Sequence, residues 1–154
     1  MRLLTAVALL LLSVATPGFA GEKLKLNPDL DFDSDSQDGP LDHGRQMDAG
    51  LVSGKAAYVI MYGEACFNSK RQARRTVDLY AKYKEQVQFV VIDIDGYLSS
   101  AQRNLKKQYF QGCIPHVMVL DRGGNVVYNR DGEVDSHHDL PLAGPSAALN
   151  LAFP

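Results

Sequence analysis

The stretch Tyr58-Val59-Ile60-Met61-Tyr62-Gly63-Glu64-Ala65-Cys66-Phe67-Asn68-Ser69-Lys70 decides the fold. Its first five residues, with Ala56 and Ala57 before them, form an apolar run of strand length, which predicts a strand buried on both faces. After Gly63 and Glu64 the period changes. From Phe67 to Gln86 the residues Ala73, Val77, Tyr80 and Ala81 recur at helical spacing, with Lys and Arg on the opposite face. A cysteine therefore stands where a buried strand hands over to a long helix.

Downstream the alternation continues. Val87 to Ile94 (VQFVVIDI) reads as a second buried strand, and Leu98, Ala101, Leu105 and Tyr109 place a second amphipathic helix over 97–110. Val117 to Leu120 and Val126 to Tyr128 are short strands joined by Asp121-Arg122-Gly123-Gly124-Asn125, a hairpin signal. A weaker helical stretch from Met47 to Val52 precedes the first strand, and Ser146 to Phe153 suits a short closing helix. The order β-α-β-α-β-β-α, with right-handed crossovers, predicts an α/β domain whose central mixed sheet has about four strands, flanked by helices.

Upstream lie two unlike segments. Residues 1–20 pair a basic Arg2 with an uncharged, mostly apolar run from Leu3 to Ala15 and end in Gly18-Phe19-Ala20, the grammar of a secretory signal peptide. The run is shorter than the roughly 18–20 residues that span a bilayer. Export to a periplasm or the extracellular space is expected, with no membrane span after cleavage. Residues 21–45 carry seven acids against three bases, with few apolar side chains, and read as a flexible acidic leader. Asp31-x-Asp33-x-Asp35 resembles the start of a calcium loop, but Ser36 stands where the turn needs Gly and Asp42 where Glu closes the loop. The domain is then 46–154, with 12 bases against 11 acids, so the net charge of −2 belongs to the leader.

That balance gives no general attraction to nucleic acid. Two cysteines exclude a disulfide scaffold and a four-sulfur zinc site, and no phosphate loop, nucleophile elbow or HExxH motif is present. No cofactor and no resident metal are expected. Chemistry falls to Cys66. At a helix start a thiol faces free backbone N–H groups and the positive end of the helix dipole, which favour the thiolate. Lys70, Arg71, Arg74 and Arg75 follow within two turns, either adding to that field or forming a solvated face. The alternative for Cys66 is a buried, inert sulfur.

The segment from Tyr58 to Lys70 resembles the active-site segment of the thioredoxins. The resemblance continues through VQFVVIDID (87–95), Gly112-Cys113-Ile114-Pro115-His116, the hairpin VMVLDRGGNVV and Gly132, covering roughly residues 50–135. The wording is closest to exported thioredoxin-like proteins of bacteria and the chloroplast lumen. It implies a thioredoxin-like fold, a cis Ile114–Pro115 bond beside the cysteine, and backbone there for docking a substrate chain. From the sequence alone Pro115 is equally a strand-start proline.

The departures are specific. Thioredoxins carry Cys-x-x-Cys, and here the motif is Cys66-Phe67-Asn68-Ser69. Ser69 cannot resolve a mixed disulfide, though its hydroxyl can bond the Cys66 thiolate. The family's buried Asp falls at Ile60, its Trp at Ala65 and its helix-kinking Pro at Arg74. Catalytic roles therefore attach to Cys66 as nucleophile, Ser69 as its hydrogen-bond partner and Cys113 as a conceivable resolving thiol, with Ile114 and Pro115 as docking backbone. A direct Cys66–Cys113 bridge needs Cα atoms within about 7 Å, and unpaired or intermolecular chemistry ranks above it. The partners implied are protein or small-molecule thiols and disulfides. A redox-silent binding or chaperone-like module is the rival reading. A Cu(I) carrier using Cys66, Cys113 and His116 is a further one.

Overall fold

Three apolar runs become three adjacent strands of the sheet. In the computed structural model, which describes residues 23–32 and 39–133 together with Pro145, Ala148 and Leu149, they form β3 (Ala57–Tyr62), β4 (Gln88–Asp93) and β5 (His116–Leu120). A short antiparallel pair precedes them, β1 (Lys25–Leu26) and β2 (Leu41–Asp42), followed by a 3₁₀ turn at Arg45–Asp48. Helix α1 (Phe67–Tyr83) joins β3 to β4, α2 (Ser100–Tyr109) joins β4 to β5, and β6 (Val126–Asp131) completes a hairpin. Residues 1–20, and Asp33, Asp35 and Ser36 of the calcium reading, lie outside the described residues.

The main sheet runs β4-β3-β5-β6, with β3 parallel to β4 and antiparallel to β5. Every residue of β3 and β5 is buried, which is why both read as unbroken apolar runs rather than alternating ones. The strand period divides the core. Tyr58, Ile60, Val91, Val117 and Val119 face α1, together with the helical Ala148 and Leu149. Val59, Met61, Ile92, Met118 and Leu120 face α2 through Leu105.

Two local devices set the frame. Ser99 and Gln102 form a reciprocal capping box, their bonds 3.1 and 2.8 Å long, and so start α2 at Ser100 instead of the expected 97. On the outer side of β4, Gln88 takes the place of a neighbouring strand. Its Oε1 accepts from the Val52 amide and its Nε2 donates to the Gly50 carbonyl, each at 2.9 Å. Of the stretch expected to be helical at 47–52 only the end of the 3₁₀ turn remains, since the backbone is extended at Ala49 and the Val52 amide is taken by Gln88.

The leader departs from the expected tether. Leu24 and Leu41 are 4% and 7% exposed and sit in the α1-side core beside Met47, with Leu26 packed against them. Its apolar residues are few, but β-pairing brings Leu26 opposite Leu41. The chain between them is tied at Asn27, whose amide donates to the Pro40 carbonyl and whose Nδ2 donates to the Gly39 carbonyl, both at 3.2 Å. Low average hydropathy concealed three well-placed leucines.

Candidate functional site

Strand β3 ends in a tight turn in which the Cys66 amide donates to the Gly63 carbonyl at 3.2 Å. Cys66 then becomes the N-cap of α1 in extended backbone, at φ −88° and ψ 113°. Its side chain makes no bond to the helix-start amides. The half-buried thiol donates instead to the Ile114 carbonyl, 3.8 Å away. The expected seat of the sulfur on the helix amides is thereby corrected, because the loop before β5 offers the S–H group an acceptor.

That loop is held from both ends. The Ile114–Pro115 peptide is cis. The Pro115 carbonyl accepts from the Gly132 amide at 2.8 Å, and Gly132 lies at φ +82°, where a side chain would be strained. Residue 133 then closes the far wall. Glu133 receives Arg71 Nε at 2.6 Å and Arg75 at 2.8 Å, and the Arg71 guanidinium lies 4.3 Å over the Phe67 ring. Glu133 was not among the residues singled out from sequence. Only its position just past the Gly132 turn could have marked it.

Ser69 does not serve the sulfur. It is fully buried, and its Oγ accepts from the Gly63 amide at 3.4 Å, tying the helix to the turn. Its expected bond to Cys66 is therefore absent. Cys113 is exposed, and neither it nor Cys66 is bridged. Ile60, at the position of the family's Asp, is fully buried within the α1-side core. The bases of α1 are engaged away from the thiol. Lys70 is fully buried with its Nζ on the Asp31 carbonyl at 2.9 Å, and Arg74 lies 4.2 Å over the Phe32 ring. The solvated-face reading holds for Arg71 and Arg74, which are exposed, while Lys70 is covered by the leader and Arg75 is half-buried against Glu133.

His116 is also relocated. It opens β5 one residue earlier than expected and shares strand parity with Met118 and Leu120, on the α2 side. Its ring is 1% exposed, bonded through Nδ1 to Asp131, and packed edge-on to Phe110 with centroids 6.0 Å apart. Its Nε2 is buried without a partner among the described residues. The Cu(I) reading is corrected on this ground, since it needs His116 on the Cys66 side. No group of three His, Cys, Asp or Glu among the described residues is arranged to hold a metal ion.

Acids gather on the near side of the turn. The Glu64 amide donates to Asp95 Oδ2 at 3.1 Å, and the Asp95 amide to Asp93 Oδ1 at 3.0 Å. The Asp93 charge, then burial, lifts the Glu64 carboxyl above the usual carboxylate range. Below them, burial first and these carboxylates second push the Tyr62 phenol up, and burial does the same to Tyr58. Both phenols hold their protons to higher pH in the folded chain than in the unfolded one. The stabilisation is complete below about pH 10 and falls as pH rises above it, by up to about 1.4 kcal/mol per unit for each tyrosine. Urea unfolding at pH 9 and 11 is expected to show this decline, and Tyr62→Phe to make it shallower.

A mixed α/β sheet with a cysteine at the β3–α1 turn, facing the loop that precedes β5, is a thioredoxin-like fold. No protein-family model and no curated protein matches the sequence. Solved structures do. One is described as that of a malarial protein, with TM-score 0.50 and 13% identity over 65% of this chain and 99% of that one. The germline-specific thioredoxin Deadhead of Drosophila melanogaster is similar at TM-score 0.44 and 21% identity, covering 55% and 73%. The thioredoxin of Fasciola hepatica is similar at TM-score 0.44 and 16%, covering 55% and 75%. At such identities the likeness concerns the fold. Among the described residues no helix is long and apolar enough to cross a membrane.

Proposed function

We propose that this chain is an exported thiol–disulfide protein that acts through a single cysteine, forming mixed disulfides with protein or small-molecule partners. One observation carries the reading: the half-buried Cys66 thiol sits against the Ile114 carbonyl, beside a cis peptide. A partner chain laid along Ile114 and Pro115 would bring its sulfur to Cys66. Cys113, exposed and unbridged, is the nearest thiol in sequence to that docking backbone and the candidate for resolution by a second molecule. Signal-peptide grammar at residues 1–20 supports export to a periplasm or the extracellular space, where disulfides persist.

The test is capture. Native protein, alkylated and separated without reduction, is expected to carry partner or small-thiol adducts on Cys66 by mass spectrometry, and Cys66→Ser to lose them. Ser69→Cys is expected to lower the adduct yield, because a second thiol one helical turn away can attack the mixed disulfide. Undiminished partner capture by Cys66→Ser would replace this reading with the redox-silent binding module. Two observations favour that rival: Ile60 is fully buried at the position of the family's Asp, and Ser69 bonds Gly63 instead of the sulfur.

A further inference from the structure

The bonds around the Cys66 groove close into a circuit. Helix α1 begins just after Cys66, whose thiol reaches the Ile114 carbonyl. The next carbonyl of that loop, on Pro115, is held by the Gly132 amide at 2.8 Å. The residue after Gly132 then returns to the helix. Glu133 gives one carboxylate oxygen to each of two arginines on α1, Oε2 to Arg71 Nε at 2.6 Å and Oε1 to Arg75 at 2.8 Å. Arg71 and Arg75 are four residues apart and so stand one turn above the other on a single helical face. An exposed ion pair contributes little, but the Glu133 side chain is only 19% exposed, and a carboxylate bonded to two guanidiniums through separate oxygens holds a fixed geometry. One wall of the groove is the Ile114–Pro115 backbone and the other is the start of α1. Cys66 and Ile114 meet at one end of the circuit, and Glu133 ties its other end.

Resting on the mixed-disulfide reading above, we propose that Glu133 is a positioning residue: by clamping Arg71 and Arg75 it sets the separation of the α1 start from the Ile114–Pro115 backbone, and with it the rate at which a docked peptide disulfide reaches Cys66. A peptide lies along Ile114 and Pro115 while its sulfur meets Cys66, so it depends on both walls at once. A small disulfide brings only its sulfur. Misplacing a docked group by about 1 Å costs up to about a hundredfold in rate. In the step concerned, Cys66 releases its proton to water and the thiolate attacks one sulfur of the partner disulfide. A Cys66–sulfur bond forms, the partner's S–S bond breaks, and the other half leaves as a thiolate. Cys66 is oxidised and the leaving half is reduced.

The experiment uses the reduced full chain and two disulfides with the same leaving group: bis(2-hydroxyethyl) disulfide, and an uncharged extended peptide whose single cysteine is disulfide-bonded to 2-mercaptoethanol. Modification of the Cys66 peptide by each is followed by mass spectrometry. Glu133→Ala is expected to lower the rate with the peptide about tenfold and the rate with the small disulfide by less than about twofold. Glu133→Gln, which keeps an acceptor oxygen, should fall between the unaltered chain and Glu133→Ala. Arg71→Met should reproduce part of the loss, and joining it to Glu133→Ala should add little, because both cut the same link. Loss of fold would slow both reagents together, and urea unfolding of each variant identifies it. A peptide-to-small ratio unchanged in both Glu133 variants, or a fall shared equally by the two disulfides, would overturn the clamp while leaving Cys66 a working thiol. Failure of both disulfides to modify Cys66 in the unaltered chain would instead overturn the reading beneath it.

Discussion

A chain that starts at Met47 is expected to be far less stable than one that starts at Glu22. The difference rests on Leu24 and Leu41, each buried to within a few per cent in the α1-side core (4% and 7% exposed). Fully burying such a side chain stabilises by about 1.5–3 kcal/mol. Leu26 adds a smaller share, and removing the leader also takes the Asp31 carbonyl from the buried Lys70 ammonium. Against these gains stands the entropy of ordering the leader, so the net loss is on the order of 3–5 kcal/mol. That is a large fraction of the ~5–15 kcal/mol by which domains are ordinarily stable. Chemical denaturation of the two chains measures it. The variant carrying Leu24→Ala and Leu41→Ala tests the cause at full length, and is expected to lose at least as much as the truncation. Equal stability of all three proteins would show that the leader merely rests on the domain.

What the sequence disclosed and what it concealed follow one physical rule. Strands β3, β4 and β5 lie in the middle of the core, so their apolar character persists along the run and shows without knowledge of neighbours. The leader leucines are visible only in pairs: Leu26 lies opposite Leu41, fifteen positions further along the chain. The same limit explains β6, expected to stop at Tyr128 yet extending to Asp131. As an outer strand of the main sheet it tolerates Asn129, Arg130 and Asp131, all exposed. His116 was recoverable in principle. Beginning β5 one residue earlier sets it in phase with Met118 and Leu120, on the α2 side.

At the site, sequence reached the atoms that lie on one short segment and missed those brought in from afar. Cys66 and Ser69 are local, and the sequence points to both, though not to their contacts. Ser69 Oγ is taken by Gly63, and the thiol by a carbonyl 48 residues away in sequence. Glu133 and Asp95 were overlooked because nothing in their own surroundings marks them. Their contacts arise only when the Gly132 and Gly63 turns bring them to α1 and to the Glu64 amide.

Replacing Ile60 by Asp should be among the most damaging single changes to this chain, although it restores a residue of the family that the sequence resembles. Ile60 lies in the middle of β3, opposite Val91 on one side and Val117 on the other, and is fully buried toward α1. Ile60→Asp removes about 2 kcal/mol of apolar burial and places a carboxyl among hydrocarbon, at a further ~2 kcal/mol or more. A total on the order of 4–5 kcal/mol is expected near neutral pH, and Ile60→Leu should cost less than about 1.5 kcal/mol. The sign of the pH dependence is fixed. A carboxyl buried here is held protonated in the folded chain and ionises first in the unfolded one, so the penalty grows as pH rises above about 4. Urea unfolding of Ile60→Asp at pH 4.5 and 8 should therefore show the larger deficit at pH 8. A deficit below about 1 kcal/mol at pH 8 would mean that water reaches the position. In that case the absence of a proton acceptor beside the sulfur would not follow from how this core is packed. With the large deficit, the pairing of Ile60 with Ser69 has a physical basis: a core closed around isoleucine has no room for a base that would speed the attack of a second thiol, and Ser69 is free to tie α1 to the Gly63 turn.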